Sequence, residues 1–149
     1  MATIAMADDG ITFDGDTLTR GPLGGAETAF ISLAEALAAR GHNVTVHNNC
    51  DASMSRNGVD WRPLKDDLPD TADLYIANRG DRLISMVRKA RVRVFWLHNP
   101  AQYLNKWRYW RKLARWRPTV VFSSNFHAAS MSSWVPTGGA ATIPYGISA

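Results

Sequence analysis

The chain has 149 residues, 46% hydrophobic and 20% charged, with a formal net charge of +4. That length and balance suit one globular domain with room for a sizeable core, and they exclude a disordered or fibrous chain. No run approaches the ~20 apolar residues of a membrane-spanning helix, the N-terminus lacks a secretory-signal pattern, and the single cysteine, Cys50, can form neither an internal disulfide nor a metal cluster, so a cytoplasmic, reduced protein is expected.

An apolar run at residues 3–7 predicts the first strand. A long polar interval, residues 8–20, follows it. Asp14 and Asp16 read there as solvated loop residues, and adjacent Asp8 and Asp9, pointing apart on extended backbone, form no catalytic pair. Gly21-Pro22-Leu23-Gly24-Gly25 then opens a helix predicted over residues 26–40. Phe30, Leu33, Ala34 and Leu37 make one apolar stripe, with Glu27, Glu35 and Arg40 off it. Glu27 lies in the first turn, where negative charge suits the dipole, and Gly41 stands where a left-handed C-cap belongs.

Gly24 and Gly25 have no side chain to hold a ligand away, so backbone amides and the helix N-terminus can approach an anion. A surface loop needing unusual backbone angles explains the same glycines. Two nucleotide motifs are excluded. The glycines come too long after the first strand for a dinucleotide fingerprint, and Ala26-Glu27 stands where a P-loop needs Lys-Ser/Thr.

Further strands are predicted at residues 43–47, 73–77, 92–97 and 119–122, with weaker ones at 59–62 and 141–144, and further helices at 81–90, 103–117 and 125–134. Residues 48–58 and 64–72 read as loops. The alternation predicts βαβ units in a Rossmann-like three-layer α/β/α sandwich with a mainly parallel sheet, residues 1–149 forming one domain. Ligands gather beyond the carboxyl ends of such strands, which draws attention to Asp8, Asn78, His98 and Ser123.

His98 follows the apolar run Val94-Phe95-Trp96-Leu97, and Asn99-Pro100 turns the chain at once. It can donate a hydrogen bond to a sugar hydroxyl or move a proton near neutral pH, or simply bind turn backbone. His42, His47 and His127 take the structural reading.

The positive excess has one source. Residues 103–117 hold six Lys/Arg and no acid, residues 1–102 eleven bases against thirteen acids, and residues 118–149 none of either. Tyr103, Trp107, Trp110 and Ala114 form a stripe expected to pack on the sheet; Arg108, Arg111, Lys112 and Arg115 occupy another face, flanked by Tyr109 and Trp116. Three readings stand: a covering helix with a solvated basic rim, contact with an anionic membrane surface, and, fitting least, nucleic-acid binding.

Several segments resemble one family. Gly24-Gly25-Ala26-Glu27, with the helix ending Ala39-Arg40-Gly41-His42-Asn43-Val44-Thr45-Val46, resembles the N-terminal signature of the family-four, or group 1, GT-B glycosyltransferases. His98-Asn99-Pro100 looks like their active-site histidine segment, and Val121-Phe122-Ser123-Ser124-Asn125-Phe126-His127 is similar to their "vSef" strand and helix start. Ile143-Pro144-Tyr145-Gly146-Ile147 resembles their "IPNG" strand, with Tyr145 in place of the usual Asn.

The resemblance implies the acceptor-side domain of a two-domain enzyme that transfers sugar from a nucleotide-sugar, with retention and without a bound metal or other cofactor, to a carbohydrate or lipid-linked acceptor. Gly24, Gly25 and Glu27 would then lie near donor phosphates and acceptor, His98 and Asn99 against the reacting sugar or acceptor, and Ser123 and Ser124 at the cleft edge. Lipid-acting members often carry a basic, aromatic helix, which Trp107, Arg108, Arg111, Lys112, Arg115 and Trp116 resemble. The second domain, with its nucleotide pocket and glutamate-x7-glutamate motif, is absent from these residues. The sequence stops two residues after Ile147 with no closing helix, so it reads as one part of a larger or split enzyme, inactive alone; the alternative reading is a noncatalytic module that docks on an anionic membrane or a partner protein through residues 103–117.

Overall fold

The computed structural model describes residues 1–66 and 68–145. Gly146 and Ile147, from the last motif, lie outside the described residues. Strands β1 (Thr3–Asp8), β2 (Asn43–Asn48), β3 (Met54–Arg56), β4 (Val59–Pro63), β5 (Thr71–Asn78), β6 (Lys89–Trp96), β7 (Thr119–Phe122) and β8 (Gly139–Thr142) form one sheet. Their order is β3-β4-β2-β1-β5-β6-β7-β8, and every pairing is parallel except β3 with β4. Helices are α1 (Thr17–Arg20), α2 (Gly25–Ala39), α3 (Trp107–Trp116) and α4 (Asn125–Ala129), with 3-10 turns at Asp81–Ser85 and Ala101–Asn105. The expected sandwich with a mainly parallel sheet is present.

The period of two along each strand divides the core. Ile4, Met6, Val44, Val46, Ile76 and Trp96 face α2, where Phe30, Ile31 and Ala34 are buried. Ala5, Ala7, Tyr75, Ala77, Phe95 and Phe122 face the opposite layer, into which Leu83, Leu104, Tyr109 and Leu113 pack. Leu33 and Leu37 cover the α2 side only partly. Beyond them, Leu74, Ile76, Val94, Trp96 and Val121 floor an open apolar groove of about 850 Å³.

Strand order reverses between β1 and β5. From β1 the chain winds outward through β2, and after β4 it returns to the other side of β1. That reversal opens a crevice at the carboxyl ends, where register sets Asp8 beside Asn78.

Several sequence expectations are corrected. Helix 81–90 shrinks to the turn Asp81–Ser85 because Lys89 and Ala90 already pair with Thr71 and Ala72 of β5, while the Arg93 guanidinium satisfies the Ile84 and Val87 carbonyls at 2.6 Å. Helix 125–134 ends at Ala129, where Ser130 turns its hydroxyl back on the His127 carbonyl at 2.7 Å. The stretch read as loop at 48–58 contains β3, and α1 interrupts the interval 8–20. Asp14 is no solvated bystander: it accepts from the Asp16 amide and Thr17 hydroxyl and pairs with Arg20, while Asp16 pairs with Arg56.

The basic segment departs most. A 3-10 turn ends at Asn105, and Lys106 is extended, with ψ 136°, so Tyr103 and Trp107 do not share a helix. The buried residues of α3 are Tyr109 and Leu113, and Trp107 is 67% exposed. The expected sheet-facing stripe therefore gives way to a different one, with Tyr109 against Phe95.

Candidate functional site

The crevice between β1 and β5 gathers Asp8, Asn78, Arg79 and His98, joined by Glu27 from α2 and Tyr145 from the C-terminal segment. Asp8 and Asn78 are fully buried at their strand ends. Asp8 Oδ1 accepts the Gly10 amide at 2.8 Å; its Oδ2 accepts Asn78 Nδ2 at 2.5 Å and lies 3.2 Å from Arg79 Nε. Asn78 Oδ1 is 2.6 Å from His98 Nε2, and His98 Nδ1 is 2.5 Å from the Tyr145 hydroxyl. The Tyr145 ring stacks on His98 at 5.8 Å, and Trp96 sits at 4.9 Å from the imidazole.

Arg79 bridges two carboxylates. Its guanidinium donates to Glu27 Oε1 at 2.6 Å while it pairs with Asp8. Its backbone is held at φ 58°, a left-handed conformation that bulky residues adopt only when the surroundings impose it. The Arg79 amide donates to the Trp96 carbonyl at 2.9 Å, which ties β5 to β6 at this corner.

Charge in this cluster follows from burial and pairing. Burial pushes the Asp8 carboxyl up, against the pull of Arg79 and the Gly10 and Asn78 donors. Burial also works against ionised Glu27, but the Arg79 hydrogen bond prevails and holds it below the usual carboxylate range. Desolvation opposes the Arg79 charge, yet Asp8 and Glu27 keep it firmly protonated. Burial, reinforced by Arg79, lowers His98 to about 4, so its imidazole is neutral near pH 7.

The glycine loop meets the same cluster from above. Gly24 is the N-cap of α2 with φ −60°, and neither Gly24 nor Gly25 takes a positive φ, so unusual backbone angles do not account for this pair. Close approach accounts for Gly24 alone: a Cβ there would strike the Glu27 carboxylate, which folds over the start of its own helix. Gly25 faces open space. Glu27, expected off the apolar stripe, is buried because Arg79 draws it inward.

A second group adjoins His98. His127 Nε2 donates to the Asn99 carbonyl at 2.7 Å, and its Nδ1 accepts from the Ser123 amide at 3.3 Å. Ser124 caps α4 by accepting the His127 amide at 3.0 Å. Asn99, Ser123 and Ser124 thus lie together, and His127 is the clamp that joins the ends of β6 and β7.

The basic helix stands apart from this crevice. Trp107, Arg108, Arg111, Lys112, Arg115 and Trp116 line a shallow groove of about 430 Å³ with Ser85, in the opposite layer. Asp81 pairs with Arg108 at 3.3 Å and Lys112 at 3.1 Å. Among the described residues no helix is long and apolar enough to cross a membrane.

Sequence reasoning missed Arg79 and Tyr145 as site residues. Arg79 directly follows Asn78 at a strand end, a signal that was present; the reach of Tyr145 across the crevice depends on β8 closing the sheet edge. The model of glycosyltransferase family 4 matches residues 23–147, from just before the glycine pair to just beyond Tyr145. No curated protein matches the chain.

Proposed function

Because the chain belongs to glycosyltransferase family 4, we propose that it is the acceptor-side half of a retaining, metal-independent glycosyltransferase that moves a sugar from a nucleotide-sugar to an acceptor. The observation that carries this reading is the crevice at the sheet's reversal point, where a neutral histidine bound to the Tyr145 hydroxyl adjoins the linked charges of Asp8, Arg79 and Glu27. His98 would contact the reacting sugar or the acceptor. Gly24 and Gly25 would face the donor phosphates, with Asn99, Ser123 and Ser124 along the cleft edge.

Incompleteness of the donor site is part of the proposal. Parallel sheets are ordinarily covered on both faces, and here Leu74, Ile76, Val94 and Trp96 floor an open groove that runs up to Tyr145. Such a face supports a further protein element beside the crevice, in keeping with a separate nucleotide-sugar domain. His98→Ala, assayed with the donor-side domain supplied and EDTA present, tests the assignment. Transfer with the anomeric configuration kept, reduced at least ~100-fold by the substitution, is the expected result; a variant as active as the wild type would remove His98 from the site.

The exposed Trp107, stacked on Trp110 at 5.2 Å beside the basic groove, favours a second role: docking on an anionic membrane surface. That role is compatible with a lipid-linked acceptor at the inner face of the membrane. Nucleic acid fits less well, because the stacked indoles turn to each other.

A further inference from the structure

With Asp8 ionised beside the Arg79 guanidinium, the hydrogen bonds around His98 have one consistent direction. Asp8 accepts from two donors, the Gly10 amide and Asn78 Nδ2, and pairs with the Arg79 guanidinium at 3.2 Å, as suits an ionised carboxylate. The Asn78 amide group is thereby oriented: its NH2 is spent on Asp8, and its Oδ1 turns to His98. A carbonyl oxygen only accepts, so His98 Nε2 must carry the ring proton. Nδ1 is then a lone pair, and the Tyr145 hydroxyl, which can donate or accept, has to donate to it.

We propose that Asn78, oriented by Asp8, is a positioning residue that locks His98 in the Nε2–H tautomer and makes its Nδ1 a hydrogen-bond acceptor for a ligand hydroxyl. Resting on the sugar-transfer reading, that hydroxyl belongs to the sugar or the acceptor, and the Tyr145 hydroxyl occupies its place in this structure. The arrangement resembles a carboxylate that orients a histidine directly, but with an amide between them. The spacer matters. A carboxylate at 2.6 Å would favour the imidazolium, whereas the amide fixes the tautomer and leaves the ring uncharged. His98 therefore has no free N–H to offer a ligand and selects partners that donate.

The charged and titratable groups facing the ring are Arg79, Glu27, His127 and Tyr145. None of them competes for Nε2 in place of Asn78 among the described residues.

Long-range 1H–15N spectra of the 15N-labelled 149-residue chain at pH 7 read the His98 tautomer directly. The wild type should show the Nε2–H form alone, and Tyr145→Phe should keep it. Asn78→Leu should give a mixture of both tautomers, and Asp8→Asn, which frees the Asn78 amide to turn over, should do the same. A wild-type ring that is Nδ1–H or mixed overturns the proposal, as does an Asn78→Leu spectrum identical to wild type or a tautomer lost in Tyr145→Phe. Should the two buried substitutions unfold the chain, the wild-type and Tyr145→Phe spectra still decide. None of these readings requires transferase activity, so failure of the sugar-transfer assignment would appear separately, as absent transfer with the tautomer intact.

Discussion

His98 reaches about 4 because burial and Arg79 both disfavour its charged form. An unfolded histidine titrates near 6.5. Between those values the unfolded chain holds a proton that the folded chain does not, so stability should fall as pH drops from about 6.5 towards 4. The full effect is bounded by roughly 3.5 kcal/mol, at about 1.4 kcal/mol per pH unit. Urea unfolding from pH 7 to pH 4 should show this slope, and His98→Gln should flatten it; an equal slope in both proteins would mean the ring is charged when folded. Arg79 lends itself to a second measurement. Arg79→Ala leaves buried Asp8 and Glu27 without their shared cation, at an expected cost of about 3 kcal/mol by chemical denaturation. A loss below about 1 kcal/mol would mean that the cluster does not hold the corner together. Position at a strand end made Asp8, Asn78 and His98 legible from the sequence. The inward fold of Glu27 and the left-handed backbone of Arg79 were not legible, since Glu27 folds onto a side chain 52 residues away and the Arg79 amide is held by the Trp96 carbonyl of a neighbouring strand.

At the scale of elements, α2 and the strands follow local pattern, whereas the connections in the opposite layer do not. The 103–117 segment has a convincing helical period, yet extended Lys106 resets its phase and brings Tyr109 and Leu113 to the core in place of Trp107 and Ala114. Nothing in the apolar spacing marks that break, because it is the packing of the preceding turn, with Ala101 and Leu104 buried, that places it. The reset has a consequence for membrane docking. Asp81 offsets Arg108 and Lys112, while Arg111 and Arg115 have no carboxylate partner among the described residues. At about 1 kcal/mol for each exposed cation near an anionic surface, the double change Arg111→Ser and Arg115→Ser should weaken binding to phosphatidylserine vesicles roughly 30-fold. Arg108→Ser with Lys112→Ser should cost less. Flotation that is insensitive to salt and to all four changes would rule out electrostatic docking.

For the whole molecule, the decisive feature is topological: the chain reverses direction across the sheet between β1 and β5, and everything polar and buried at the candidate site collects there. The alternation of apolar runs made a parallel sheet legible, and with it the edge where ligands collect. Which two strands flank the reversal was not legible, because it depends on the order in space of β2, β4 and β5. The start of α2 adjoins both features: Glu27 folds back beside Gly24 at the crevice, and Gly25 lines the open apolar groove. On the proposed reading these surfaces form the acceptor-side part of a transfer site. The direct test is sugar transfer from a panel of nucleotide-sugars, measured with the 149-residue chain alone and with the donor-side domain added. No transfer by the chain alone, and transfer restored by the added domain, is the predicted outcome; robust transfer by the isolated chain would contradict it.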